Sequence, residues 1–193
     1  MTWWGWLILG LVLLAAFLVV LLWQLASRLD RLHRRVLTAR GGLERGLVKR
    51  NAELLRTSDL SGVPADSAEE MRQRATDALA LSEIPLVADG LRPGSGMDGA
   101  EVDRRLLAES RVSRAMRDFL TPELRSTLSQ NAVAQAQLEA LDLAAYRVEV
   151  ARTLHNQDVT QARALRSRLI VRLFHLAGRA PMPNFVDLDD QTK

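Results

Sequence analysis

The sequence contains no cysteine, one tyrosine and only two lysines among its 26 basic residues. The absence of cysteine excludes disulfides, thiolate metal sites and cysteine nucleophiles, and it removes any argument for an oxidising compartment. Charge is also absent from the N-terminus, because no Asp, Glu, Lys or Arg precedes Arg28. The chain therefore divides into a charge-free segment, residues 1–27, and a charged remainder long enough for about one domain.

The charge-free segment contains a long apolar run, which reads LILGLVLLAAFLVVLL over residues 7–22. All four tryptophans of the chain flank this run: Trp3, Trp4, Trp6 and Trp23. A helix that includes all four would rise about 30 Å, the thickness of a bilayer's hydrocarbon core, and tryptophan is typical of both membrane interfaces. A cleaved signal peptide would instead need a basic n-region and a good cleavage site. The pattern predicts an uncleaved transmembrane anchor over residues 1–27.

Helical periodicity continues after the anchor, and we expect an all-α protein in which a single N-terminal transmembrane helix precedes an antiparallel bundle of long helices over residues 28–180. The first stripe comprises Leu25, Leu29, Leu32, Val36, Ala39, Leu43 and Leu47. Its helix extends to about Leu55. Gly41 and Gly42 interrupt it, which indicates either a kink or a close helix contact.

Turn and capping residues place the later helices. A second helix is expected from Asp66 or Ser67 to Leu81, then a loop at about residues 83–99, and then a third helix from Ala100 to Leu120. Thr121 and Pro122 form a strong helix start, and no further proline occurs before Pro181. One fourth helix is therefore expected from Pro122 to near Ala177. Residues 181–193 form a short acidic tail, with Phe185 as its apolar plug and with Asp187, Asp189 and Asp190 in solvent.

A polar cluster is predicted on the fourth helix, where Arg152, His155 and Asn156 interrupt the apolar stripe. A buried guanidinium without an acidic partner costs several kcal/mol, so a carboxylate from another helix is required. The candidates are Asp77, Glu101 and Glu109.

Patterns that suggest chemistry are weak. Gly94, Gly96 and Gly99 match GxGxxG, but the strand that a dinucleotide site needs does not precede them, so we read them as a linker. The three histidines, His33, His155 and His175, lack the spacing of a helical zinc site, and we read His155 with Asp158 as a surface pair. The sequence predicts no catalytic residue, no metal, no cofactor and no small-molecule substrate, and hence no enzyme.

Basic residues concentrate directly after the anchor. Residues 28–56 contain nine basic and three acidic side chains, a net charge of +6. The positive-inside rule therefore places the N-terminus outside and the bundle in the cytoplasm. We expect Arg28, Arg31 and Arg35 to lie at the membrane interface together with the four tryptophans. They either contact anionic headgroups or only set the topology.

The order of these parts resembles the LemA family. The residues that carry the resemblance are Pro122, Leu124, Arg152, His155, Asn156, Val159, Leu176, Ala177, Gly178 and Phe185. His155 departs from the family's usual tyrosine, Arg163 stands where a second asparagine is common, and Ala145 stands where an acid is common. About one extra helical turn separates Pro122 from Arg152. The resemblance implies a divergent member, in the cytoplasmic membrane, with an antiparallel helical bundle and no established catalytic activity.

The function expected from the sequence is that of a single-pass membrane-anchored helical interaction or scaffold protein. Its partners would be membrane lipid and either a membrane protein or a second copy of the chain. The alternative is an anionic-lipid or nucleic-acid binding module that uses the basic juxtamembrane helix, although nucleic acid is not the expected partner.

Overall fold

One uninterrupted helix joins the apolar N-terminus to the folded remainder of the chain. A computed structural model describes residues 3–91, 99–178 and 180–190, and all regular secondary structure in these ranges is helical. The helices are α1 (Trp3–Ser58), α2 (Ala65–Ala80), α3 (Gly99–Phe119), α4 (Pro122–Leu128), α5 (Ala132–Arg166) and α6 (Leu169–Leu173). The all-α fold class is confirmed.

The environment of α1 changes along its length. Its most apolar 18-residue window has no buried residue, and α1 is the one helix in the described ranges that is long and apolar enough to cross a membrane. From Leu29 onward, one side chain in every three or four is buried. This spacing is that of a helix with one face against a core. The change from exposed to buried occurs between Trp23 and Leu29, over fewer than two turns of the same helix.

The core is built mainly between α1 and α5. Near the end of α1, the backbone carbonyl of Glu53 accepts a hydrogen bond from Gln137 Nε2 at 3.1 Å. Further back along α1, a Cβ at Gly46 would lie 3.4 Å from Cγ2 of Val148. Nearer the N-terminus of α1, His33 Nε2 lies 3.5 Å from Nη1 of Arg166. The helices α2 and α3 pack on each other and beside α1, and they complete an apolar cluster around Leu54 and Met71.

Gly41 and Gly42 do not interrupt α1 as expected from the sequence. The helix continues through Gly41 and Gly42, and a Cβ at Gly42 would meet nothing within 4 Å. The close approach of helices occurs instead at Gly46, where Val148 packs. A Cβ at Gly46 would be in van der Waals contact with Val148, whereas the space beside Gly42 is open.

The predicted fourth helix is three helices. The Thr121 cap is confirmed, since its hydroxyl accepts from the backbone N–H of Leu124, but α4 ends after two turns. A new helix then begins because the side chain of Asn131 accepts from the N–H groups of Val133 and Ala134, which caps α5. The chain breaks again after Arg166, and only the short α6 follows. The single helix from Pro122 to near Ala177 was therefore a wrong expectation.

The irregular segments are packed into the fold. In the predicted loop at 83–99, Leu86 and Val87 are buried, while Gly94 and Gly96 lie outside the described residues. In the C-terminal segment, Val186 and Leu188 are buried in a cluster with residues of α1 and α5. Phe185 is not the plug of this segment, since it retains 42% of its accessible surface whereas Val186 and Leu188 are buried. The expectation of a solvated tail was wrong for its apolar residues.

Candidate functional site

The four tryptophans at the ends of the apolar run are all exposed. Trp3, Trp4, Trp6 and Trp23 retain between 59% and 70% of their accessible surface. The rings of Trp3 and Trp4 contact each other, with centroids 4.3 Å apart. Because the protein does not cover these side chains, their amphipathic rings are free to contact a membrane interface.

The basic residues that follow the apolar segment of α1 fall into two groups. Arg28, Arg31 and Arg35 are exposed on α1. Arg40 and Arg50 are buried and nearly inaccessible to solvent, which the sequence analysis missed. The exposed positive charge of residues 28–56 is therefore smaller than their net charge suggests.

Arg40 is neutralised by an acid from the loop after α2. Its guanidinium donates two hydrogen bonds to the carboxylate of Asp89, one of them at 2.9 Å from Nη1 to Oδ1, and both side chains are buried. Burial favours a raised pKa for Asp89, but Arg40 and the N–H groups of Leu91 and Asn184 outweigh it, so the pKa of Asp89 lies below its usual value. This buried ion pair connects α1 to the loop that follows α2.

Arg50 occupies the centre of a second buried network, between α1 and α3. Its Nη2 donates to Glu109 Oε2 at 2.8 Å and its Nη1 donates to Ser113 Oγ at 2.9 Å. Asn51 donates to the same Glu109 oxygen at 3.0 Å. Burial lowers the pKa of Arg50, which Glu109 opposes. A bidentate or forked arginine contact of this kind fixes the rotation of both helices.

Arg152 pairs with the C-terminal segment and not with a helix. Its guanidinium donates through Nε and Nη2 to the two carboxylate oxygens of Asp190, the second bond at 2.9 Å, and Asp190 is buried. The predicted acids Asp77, Glu101 and Glu109 were wrong for this role, because Glu109 is used by Arg50 and Glu101 lies 3.9 Å from Arg104. The tail supplies the acid because its apolar residues dock beside α5.

Further side chains of α5 hold the same segment. Asn156 donates to the carbonyl of Val186 and accepts from its N–H, both at 3.0 Å. Arg163 donates to the carbonyl of Pro183 at 2.8 Å and its guanidinium lies 4.7 Å from the ring centroid of Phe185. Arg166 donates to the carbonyls of Ala180 and Pro181 at 2.7 and 2.6 Å. The segment thus follows one face of α5 over its last four turns.

The other side of the segment binds α3. Arg117 donates two hydrogen bonds to Asp189, at 3.0 and 2.6 Å, and Ser110 Oγ accepts from the N–H of Asp189 at 3.1 Å. The C-terminal segment therefore connects α3 to α5. Neither Asp189 nor Asp190 lies free in solvent, which corrects the expectation for these two residues; Asp187 is exposed.

His155 is fully buried and does not form a surface pair with Asp158. Within the described part of the chain, neither ring nitrogen has a hydrogen-bond partner of normal geometry. Burial lowers its pKa, the charge of Arg40 adds to this, and the carbonyls of Asn184 and Val36 and the carboxylate of Asp89 act in the opposite direction. The ring is therefore neutral in the folded protein at neutral pH.

The predicted cluster of Arg152, His155 and Asn156 is one half of a docking site for the protein's own C-terminal segment. Its missed members are Arg163 and Arg166 on α5 and Asp189 and Asp190 in the segment. The spacing of these residues in the sequence could have revealed the site on α5, because polar side chains at 152, 156, 163 and 166 share one face of a helix. No group of three or more His, Cys, Asp or Glu side chains suited to a metal ion occurs in residues 3–91, 99–178 and 180–190.

Comparisons with known proteins add no relative: no family model, curated protein or solved structure matches the chain. The resemblance to the LemA family stays a prediction.

We predict that Arg152→Met destabilises the protein, because it leaves the buried carboxylate of Asp190 without its main partner. The expected loss in free energy of unfolding is about 2–3 kcal/mol, below the value for a fully buried pair because Arg152 is partly exposed. Denaturant unfolding of the full chain in detergent measures it. Adding Asp190→Asn should recover part of the loss. The exposed Arg147→Met is the control, expected within about 0.5 kcal/mol of the parent. Equal stability of the Arg152 and Arg147 variants would refute the role of the pair.

We also predict that stability falls on acidification below pH 6.5, the ordinary pKa of histidine. The unfolded chain binds a proton there that buried His155 does not, so unfolding is favoured by up to about 1.4 kcal/mol per pH unit. Urea unfolding at pH 7.5 and 5.5 measures this, above the range in which carboxylates protonate. His33 also has a lowered pKa, from burial and Arg166, and it adds to the effect.

Single replacements separate the two histidines. His155→Met removes the titrating ring without removing a hydrogen bond, and it should flatten the pH dependence. His33→Gln measures the second contribution alone. An unchanged pH dependence in His155→Met would show that this ring is not held neutral.

Proposed function

We propose that this chain is a single-pass protein of the cytoplasmic membrane, of LemA type, whose helical bundle is an interaction module. The N-terminus lies outside and the bundle lies in the cytoplasm, as an antiparallel arrangement of long helices. The observation that carries the proposal is the apolar window of α1, which has no buried residue and belongs to the same helix as the face that packs on the bundle's core.

The exposed window argues for an apolar solvent. Burying one large aliphatic or aromatic side chain is worth about 1.5–3 kcal/mol, so a helix that exposes Leu, Val and Phe on every face is unfavourable in water. A core helix of a soluble protein would be mostly buried, whereas this window is not buried at all. A lipid bilayer satisfies the whole circumference of such a helix.

Continuity of α1 argues against removal of the N-terminus as a signal sequence. Cleavage near Ser27 would cut inside the helix, one turn or less before its first buried residue, Leu29. The bundle would lose the turn that contains Leu25, which packs on the cluster around Leu29 and Val159. Retention as an anchor keeps that packing.

The order of contacts supports the antiparallel arrangement. Residues 53, 46 and 33 of α1 meet residues 137, 148 and 166 of α5, so that one set of numbers falls as the other rises. The C-terminal end of α5 then lies near the anchor, and its N-terminal end lies far from it.

An apolar stripe on α5 supports a protein partner. The side chains of Leu143, Tyr146, Val150 and Leu154 retain between 37% and 62% of their surface. Their spacings of three and four residues place them on one helical face, opposite the buried Leu141 and Val148. A stripe of this kind fits the apolar face of another helix, from a membrane-protein partner or from a second copy.

A second candidate function is binding of anionic lipid by the juxtamembrane part of α1. The exposure of Arg28, Arg31 and Arg35 directly after the apolar window favours it. Each such base near a membrane surface is worth about 1 kcal/mol, reduced by salt. This activity is compatible with the interaction module.

The proposed topology predicts which cysteines react with a membrane-impermeant maleimide. The chain has no cysteine, so each introduced one is the single label site. Thr2→Cys, before α1, should react in intact cells. Thr153→Cys, exposed on α5, should react only after permeabilisation. Labelling of position 153 in intact cells would show that the bundle lies outside, contrary to the proposed orientation. Release of the protein by alkaline carbonate would refute the transmembrane anchor.

The α5 stripe predicts a directional cross-link in native membranes. A photo-reactive amino acid at Tyr146 should give one discrete product, of dimer mass or of the mass of a heterologous partner, and Val150→Glu should abolish it. The control position is Glu149, exposed on another face of α5. Equal products from both positions, or a product that survives Val150→Glu, would contradict the stripe as an interface.

A further inference from the structure

The chain reverses direction at the end of α5, and α6 forms the tip of this reversal. After Arg166, α6 runs from Leu169 to Leu173, and the carbonyl of Val171 accepts from the N–H of Leu176 at 3.0 Å as the chain turns back. His175 and Gly178 both have positive φ, 50° and 55°, as a tight reversal requires. The segment from Ala180 then returns along α5.

This tip lies at the end of the bundle nearest the anchor. Val171 is buried in the cluster that contains Leu29 and Leu32, and Leu25 packs against that cluster. Leu29 is six residues beyond Trp23, which is a rise of about 9 Å along α1. The headgroup region outside the hydrocarbon core is about 5–8 Å thick on each side. With Trp23 at the interface, the side chains of α6 lie within reach of the headgroups.

The side chains around Val171 are apolar and exposed. Leu169 and Leu173 retain 81% and 73% of their surface, and Ile170 and Phe174 are also exposed. The periodicity of the sequence predicts Leu169 and Leu173 in the core stripe. They face outward because the helix ends at Arg166 and α6 begins in a new orientation after the extended residue Arg168. The outward face therefore has large apolar side chains and no covering element in the described part of the chain.

The charge of this region is of one sign. Arg168 and Arg172 are exposed beside the apolar residues. The sequence has no Asp or Glu between Asp158 and Asp187, a stretch that contains five arginines. Exposed apolar side chains with arginines at their rim are typical of segments that lie in a membrane interface. The arginines could also face an acidic protein surface. A protein partner, however, would not explain why the tip lies level with the end of the anchor.

We propose that α6 and Phe174 insert into the headgroup and acyl-chain boundary of the leaflet that α1 enters, while Arg168 and Arg172 bind lipid phosphates. The bundle is then attached to the membrane at two points, the anchor and this tip. The proposal rests on the transmembrane role of α1 proposed above, and it adds a lipid contact that α1 alone does not require.

Single-cysteine labelling of the full chain in proteoliposomes tests it. An environment-sensitive fluorophore is placed on Leu173→Cys, on Phe17→Cys in the anchor, or on Thr153→Cys on α5. Bromine-substituted phosphatidylcholine with anionic phosphatidylglycerol supplies the quencher. We expect strong quenching at positions 17 and 173, with that at 173 exceeding that at 153 by about twofold or more.

The three positions separate the two proposals. Lack of quenching at position 17 refutes the anchor itself. Quenching at 17 with a water-exposed fluorophore at 173 refutes the α6 contact alone. A fluorophore at 173 that is protected from aqueous iodide but not quenched by bromolipid shows coverage by protein, which also overturns the lipid assignment.

Charge variants test the role of the arginines. Arg168→Glu with Arg172→Glu should lower bromolipid quenching at position 173 to the level at 153 and leave that at 17 unchanged. The control replaces another exposed arginine, away from the tip, Arg147→Glu. Unchanged quenching at 173 in the double variant would show that the arginines do not bind lipid. Insertion of the apolar side chains is then tested with Leu169→Gln. If this variant also leaves the quenching at 173 unchanged, the insertion is refuted.

Discussion

The continuity of α1 is the constraint on which the other parts of the molecule depend. Its 56 residues form a single helix, so the segment that is apolar on every face and the segment with one buried face share an axis and a rotational phase. The N–H and C=O groups of a helix are satisfied internally, so the backbone tolerates a change of surroundings without a break. The positions buried against α5, from Leu29 to Leu54, are thereby fixed relative to the exposed tryptophans. A break in the helix at Gly41 or Gly42 would have uncoupled the two segments, but α1 continues through both glycines.

Buried arginines determine how the other elements attach to α1. Arg40 and Arg50 lie on the same seam as Val36, Leu43 and Leu47, yet each binds an acid that comes from outside that seam. Ion pairs at such depth contribute little net stability, because desolvation offsets most of their attraction. Their effect is on specificity. A seam of leucines alone accepts small shifts of a neighbouring helix, whereas a guanidinium that loses its carboxylate is penalised by several kcal/mol. Asp89 and Glu109 therefore select one position for the loop and for α3.

The periodicity of apolar residues predicted those features of the fold that depend on the local sequence. The apolar N-terminal helix, the buried face of α1 and the Thr121 cap could all be predicted, because each depends on neighbours within a few residues. The break before α5 was missed because no proline or glycine marks it, and the cap is a single asparagine. The burial of Val186 and Leu188 was missed for another reason. Their segment has no regular structure, and Asn156, which binds Val186, is 30 residues away in the sequence, so no local pattern encodes the contact.

The length of the bundle limits what the α5 stripe can bind. Gly46 contacts Val148, which lies on the opposite face of α5 at the height of the middle of the stripe. Gly46 is 23 residues beyond Trp23, a rise of about 35 Å on a straight helix. In the proposed arrangement the stripe therefore stands well outside the headgroup region, and a partner's transmembrane segment cannot reach it. The partner must present a helix in the aqueous phase at the same height, as another copy anchored in the same leaflet would do. A second attachment at α6 would restrict rotation of the bundle about α1. Two such copies would then meet with their stripes in a limited set of directions, which lowers the entropic cost of association without any added contact.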